Sequence, residues 1–352
     1  MSCGAHRSTD EVSFATSGQS DCPVVWVRTV EQMRAEAALL ADTVIGEVDR
    51  VVNFAPPRHL YGSLLGEYLP AHLRVPVRHQ WEDPLSPVEL AADERVLLVC
   101  LPATWVVLRS HVERLRSLSG VVAVHGTGPT TTATDRIVEA LAGARFRGVE
   151  LLGSTETGAI AHRPLVPSAG GSLGGSPLWT LFDDTSLVSA PTPSGEQPLR
   201  VRSPRLARRE NESAWPDSLE LDDLVRPRDG GRFELLGRSS RLVKVNGVRL
   251  HLEHVEHALR ERFPHTDIVC VPVRDDVRAE HFDLYYTDLA DTGEGTVAAE
   301  DLHGVLKTVF PQAPLPRVTH GVARIPRGAA GKVRLDLLLS SLETAPGGDV
   351  RE

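Results

Sequence analysis

Between Val96 and Gly153 the sequence switches period repeatedly, and that alternation limits the folds open to the chain more than any other feature. Apolar runs at Val96 to Leu101, Val121 to Val124 and Val149 to Leu152 read as buried strands, separated by helical spacing over Thr104 to Ser117 and Thr132 to Ala142. Strands joined through amphipathic helices of this length make a mostly parallel sheet covered on both faces. The expected class is therefore α/β. In such sheets ligands bind beyond the carboxyl ends of the strands. Two turns fall there: Gly126-Thr127-Gly128-Pro129, and Gly153-Ser154-Thr155-Glu156-Thr157-Gly158. In the second, small hydroxyl residues between glycines let backbone approach an anion, and the single carboxylate of Glu156 suits a divalent ion.

Upstream, Val12 to Ala15 reads as a short strand, and Val30, Met33, Ala37, Leu40 and Val44 put a helix over Thr29 to Asp42. Val51 to Phe54 reads as a further strand. Beyond Arg163 the texture turns to Pro, Gly and Ser, then to β-like pieces at Leu178 to Phe182, Leu187 to Ser189 and Leu199 to Val201, as in a small β subdomain. From Arg241 strands and helices alternate again, as in a compact α+β lid. The division expected is a large domain over 1–239, a lid over 240–342 and a tail over 343–352. The pattern Gly170-Gly171-Ser172-Leu173-Gly174 mimics a hydrolase nucleophile elbow but has no strand before it. His251, His254 and His257 wander round a helix at i, i+3 and i+6, without the H-E-x-x-H spacing or a cysteine partner that zinc needs.

A net charge of −9 spread along the chain disfavours a nucleic-acid or anionic-membrane surface and leaves a small molecule as the default partner. The four cysteines are far apart, as in a reduced, cytoplasmic protein, and the longest apolar run is too short for the ~20 residues of a spanning helix. Nearly all basic residues are arginine. The only lysines are Lys244, Lys307 and Lys332. A compact ammonium kept in the glycine-flanked segment Pro326-Arg327-Gly328-Ala329-Ala330-Gly331-Lys332 asks for a chemical reason, because a guanidinium does not replace it.

Three stretches in order, Gly153 to Gly158, Gly237-Arg238-Ser239-Ser240-Arg241-Leu242-Val243-Lys244-Val245-Asn246-Gly247, and Pro326 to Lys332, resemble the adenylate-forming (AMP-binding) superfamily of acyl- and aryl-CoA synthetases, luciferases and peptide-synthetase adenylation domains. The resemblance runs from Thr16 to Leu338. It implies an acid–thiol ligase using ATP and Mg2+: a carboxylate attacks the α-phosphorus, pyrophosphate leaves, and the acyl group passes from the adenylate to the thiol of CoA or a phosphopantetheine carrier protein.

On that reading Lys332, Glu156 and Thr155 are catalytic, with Glu156 holding the metal. Ser17 and Gly18 belong to the phosphate loop Thr16 to Val24, and Gly153 and Ser154 to the turn that receives phosphate. Thr127, Gly128 and Pro129 pack against adenine; Asp223 and Arg238 reach the ribose. His59, in Pro56-Pro57-Arg58-His59-Leu60-Tyr61-Gly62, shapes the acid pocket, and Gly247 borders the thiol channel, with a plain turn as its other reading. Ser240 takes the hinge position.

The sequence departs from the family at several points. The phosphate loop lacks its second glycine and closing lysine, Asp222 replaces a glycine, Ser240 replaces the hinge aspartate, and Leu152 stands where the family has an adenine-stacking tyrosine. Loss of one electrostatic donor aimed at a transition state costs about 2.7–4 kcal/mol of activation free energy, but the changed residues mainly hold adenine and outer phosphates, so weaker nucleotide binding and a high ATP requirement are expected rather than lost chemistry. The subdomain that precedes the phosphate loop in the family has no counterpart. Either the protein is a naturally short ligase, or a partner subunit or second copy supplies that wall. The competing reading is a non-catalytic ligase-like protein that binds an acyl group or a partner.

Overall fold

The computed structural model describes residues 10–15, 24–167, 177–188, 195–245, 248–275, 279–288, 297–311, 315–327 and 333–343. The chain divides into two compact units, Met1–Leu221 with Val225–Leu235, and Asp222–Leu224 with Leu236–Glu352.

The first stretch of chain forms β1 (Glu11–Ala15), β2 (Val25–Thr29), α1 (Val30–Leu40), β3 (Arg50–Asn53), α2 (Leu60–Ser63), α3 (Leu69–Leu73) and β4 (Val77–His79). Then come β5 (Arg95–Cys100), α4 (Thr104–Leu108), α5 (Val112–Arg116), β6 (Gly120–His125), α6 (Thr132–Ala140), β7 (Phe146–Ser154) and β8 (Gly158–Pro164). Shorter strands follow: β9 (Trp179–Leu181), β10 (Ser186–Leu187), β11 (Gln197–Arg202), β12 (Arg208–Arg209), β13 (Leu219–Arg228) and β14 (Arg232–Arg238).

Among the described residues, the large sheet has the order β10-β11-β13-β14-β9-β8-β7-β6-β5-β3-β4. The half from β4 to β7 is parallel, as the β/α alternation requires. Along β5, Leu97 and Val99 enter the core under α1 and the helices after β3, while Val96, Leu98 and Cys100 enter the core under α4 to α6. Both faces are therefore buried, which is why the strands read as unbroken apolar runs. At β7 the sheet turns antiparallel, because only residues 155–157 separate β7 from β8 and a parallel return needs a dozen or more. The β-like pieces downstream of Arg163 continue this same sheet through β9, β10 and β11.

Two helices differ locally from the sequence reading, and a third helical segment was not read from it. The helix over Thr29 to Asp42 starts where expected, on a capping box between Thr29 and Gln32, but passes into a π turn at Ala41–Ile45. The helix expected over Thr104 to Ser117 is broken into α4 and α5 by a 3-10 turn at Arg109–His111. There Ser110 Oγ donates back to Val107 O at 3.0 Å, competing with the helical backbone. Leu60 to Leu73 is helical with a π segment at Leu64–Tyr68, and its Gly66 is required because a Cβ would lie 1.9 Å from Asn53 Nδ2.

The second unit contains the hairpin β15 (Leu242–Val245) and β16 (Val248–His251), then α7 (Leu252–Arg262), β17 (Thr266–Asp275), β18 (Ala279–Asp288), α8 (Ala299–Val309), β19 (Thr319–Gly321) and α9 (Leu335–Glu343). Its core packs Leu252, Val255 and Leu259 of α7 and Leu302 and Leu306 of α8 against Ile268, Cys270, Phe282 and Leu284. Among the described residues no helix is long and apolar enough to cross a membrane.

Candidate functional site

The turn 153–158 closes the β7–β8 hairpin at the carboxyl end of the last parallel strand. Thr157 is fully buried and organises it: its Oγ1 donates to Gly158 O at 2.9 Å and accepts from Ser154 N at 3.2 Å. With the Thr157 proton so used, the 3.0 Å contact between Ser154 Oγ and Thr157 Oγ1 has serine as donor. Thr155 and Glu156 are left half-buried at the tip, and Glu156 O accepts from Ala207 N at 2.8 Å. Gly153 is obligatory, since a Cβ would meet Gly158 O at 2.2 Å. Gly158 has φ +68°, and a Cβ there would lie 2.4 Å from the Glu36 carboxylate.

Glu36 braces this turn from behind. It is fully buried on α1, accepts from Ala159 N at 2.7 Å, and lies 2.6 Å from Arg28 Nη2 and 3.4 Å from Arg205 Nη1. Burial alone pushes its carboxyl up, but the two guanidiniums and the Ala159 amide outweigh it and hold the group below the usual value. Arg205 is held in turn by Asp184 at 2.6 and 2.8 Å.

Beside it, the turn 126–129 follows β6. Gly126 has no room for a side chain, a Cβ falling 2.7 Å from the Tyr61 ring, and Gly128 lies against Pro102. Thr127 sits between them at φ 71°, unusual for a β-branched residue. His59 is half-buried at the first position before α2, where its side chain makes no capping bond to the helix. Two residues on, the Tyr61 hydroxyl lies 2.9 Å from Val124 O and 3.2 Å from Cys100 O, tying this segment to the ends of β6 and β5. Gly62 is packed so that a Cβ would meet Pro56 O at 2.1 Å. The segments carrying His59, Thr127 to Pro129 and Gly153 to Glu156 thus all lie at one carboxyl edge.

In the second unit Asp222 and Ser240 are in contact. Asp222 accepts from Ser240 N at 3.0 Å and also from Ser240 Oγ. A carboxylate thus lies against Ser240, supplied from position 222. Asp223 is half-buried beside it and Arg238 is exposed at the end of β14. Gly237, at φ +117°, packs against His251 and Glu253.

Ser17, Gly18, Gly247 and Lys332 lie outside the described residues, as does the pattern 170–174. The flanks of Lys332 are described: Arg327 bridges Val333, Arg334 N donates to Pro326 O at 2.8 Å, and Arg327 pairs with Asp267 at 2.6 Å. Among the described residues no three His, Cys, Asp or Glu side chains converge as for a metal cage. Magnesium is commonly held by one or two carboxylates together with substrate phosphates and water, so one half-buried carboxylate beside hydroxyls fits that ion. The sequence reading missed Glu36, Tyr61 and His125. Tyr61 lies inside a segment it quoted, and His125 was legible as the polar end of an apolar run; nothing local marks Glu36.

The chain has the fold of solved coenzyme A synthetases. Among solved structures, ATP-bound MatB from Rhodopseudomonas palustris superposes with a TM-score of 0.73 at 18% identity, covering 94% of this chain and 68% of that one. O-succinylbenzoate coenzyme A synthetase (MenE) from Bacillus subtilis, in complex with ATP and magnesium, gives 0.71 at 18%, covering 93% and 69%. In sequence the chain is similar to 4-coumarate–CoA ligase of Halorhodospira halophila, 27% identical over 256 residues, which is 72% of this chain and 58% of that ligase. No family model matches.

Proposed function

We propose that this chain is an ATP-dependent acyl- or aryl-acid ligase that forms an acyl-adenylate and transfers the acyl group to CoA or a carrier-protein thiol. The observation that carries the reading is the convergence, at one carboxyl edge of an adenylate-forming sheet, of the hydroxyl turn bearing Glu156 with the turn 126–129. Gly153, Ser154 and Thr155 form the turn that receives phosphate oxygens, with Thr155 offering its hydroxyl at the tip and Ser154 holding the turn's shape through Thr157. Thr127, Gly128 and Pro129 take adenine, Asp223 and Arg238 the ribose, and Ser17 and Gly18 the outer phosphates. His59 lines the acid pocket, Gly247 the thiol path, and Ser240, through Asp222, marks the hinge. Glu156 would hold a magnesium ion, which offsets phosphate charge when bound. Lys332 supplies an ammonium to the crowded α-phosphorus. The protein works in the cytoplasm.

The test is ATP–pyrophosphate exchange and hydroxamate trapping over a panel of fatty and aromatic acids, with wild type, Lys332→Ala and Glu156→Gln. At least one acid should support exchange, falling about 100-fold or more in either variant, the usual cost of one donor aimed at a transition state. Silence of the wild type across the panel, or activity indifferent to Lys332, refutes the ligase reading.

A further inference from the structure

His125 closes β6 and is buried completely, one residue before the turn 126–129. Its two ring nitrogens have different partners. Trp105 Nε1, also fully buried, lies 3.0 Å from Nδ1, and an indole N–H can only donate. Nδ1 is therefore the acceptor, so the ring proton is on Nε2, which lies 2.9 Å from Gly128 O and donates to it. The tautomer is fixed from α4, and through it the carbonyl at the middle of the turn. Burial holds the imidazole below its usual pKa, in the neutral form this relay needs, against the opposing pull of Glu150.

The turn has reason to be held. Thr127 occupies left-handed backbone, while Gly126 and Gly128 are pressed against Tyr61 and Pro102 on either side. A β-branched residue stays in that region only where its surroundings impose it. We infer that His125 is a positioning residue, holding the turn 126–129 in the conformation that receives the nucleotide base through its Trp105–His125–Gly128 relay. This rests on the ligase reading above. It assigns a role in recognition of ATP, and none in the chemistry at the α-phosphorus.

The two amide substitutions separate the ring nitrogens, because Asn places its terminal atoms near Nδ1 and Gln near Nε2. In the full-length protein, with an acid the wild type accepts, KM for ATP and for the acid are measured by pyrophosphate exchange, with melting temperature as the folding control. Gln keeps the donor to Gly128, so H125Q should stay within about twofold of wild type; H125N accepts from Trp105 but abandons Gly128, and its ATP KM should rise about fivefold to tenfold, the worth of one net hydrogen bond. The acid KM should not move in either variant. Should H125N fail to fold, W105F frees the tautomer and should also raise the ATP KM. Equal ATP KM values for H125N and H125Q, or a W105F indistinguishable from wild type, overturn the assignment while leaving the ligase reading intact. A wild type with no exchange on any acid removes that reading, and this inference with it.

Discussion

Replacing Glu36 by Gln tests the brace behind the Glu156 turn. Glutamine keeps an oxygen for Ala159 N but removes the charge that sits between two guanidiniums, Arg28 at 0% and Arg205 at 1% exposure. Arg205 retains Asp184, whereas Arg28 keeps only its bond to Arg205 O at 2.8 Å, and its Nε and Nη1 have no hydrogen-bond partner among the described residues. Removing one member of a buried ion pair costs about 3–5 kcal/mol, because the other is left charged and dry. For a unit of this size, 1 kcal/mol moves Tm by roughly 2–4 °C, so the transition of the first unit should fall by roughly 6–20 °C. The assay is thermal and urea unfolding, followed by tryptophan fluorescence. A second variant sets the sign: Arg28→Met added to Glu36→Gln removes the guanidinium left without its carboxylate, while the glutamine oxygen still serves Ala159 N and Arg205 keeps Asp184, and it should recover much of the loss. If E36Q is within about 1 kcal/mol of wild type, or the double variant is worse than E36Q, the charges are not compensating one another and the argument fails.

Two further outcomes follow from the same geometry. Gly158→Ala should cost more than Gly143→Ala in urea unfolding: both glycines have positive φ, but a Cβ at Gly143 meets nothing within 4 Å while at Gly158 it drives into Glu36; equal losses would leave only the backbone strain of about 1–3 kcal/mol and contradict the close packing. His125, His162, His254 and His303 are all held below the ordinary histidine value, burial being the first cause in each. Such groups bind fewer protons folded than unfolded, so their stability contribution is complete above the unfolded value of about 6.5 and is lost as pH falls from there through the folded values. The urea midpoint should drop between about pH 7.5 and pH 5.5, and a flat profile over that window would refute it.

What the sequence by itself determined is what depends on neighbours along the chain. The parallel half of the sheet follows from apolar runs spaced by helices, the start of α1 from Thr29 and Gln32, and the two edge turns from glycines placed just after strands. The order of three short stretches was enough to indicate the adenylate-forming fold. Tertiary structure alone decided the rest, because there the energy lies between residues far apart in sequence. Glu36 looks like one more surface acid on a helix until Arg28 and Arg205 close over it. The carboxylate bonded to Ser240 comes from Asp222 on β13, eighteen residues earlier, and only the folded chain brings the two together. His125 gains its tautomer from Trp105, twenty residues earlier. Helical periodicity likewise could not foresee the break between α4 and α5, since a hydroxyl bonding back to a carbonyl leaves the pattern of apolar residues unchanged.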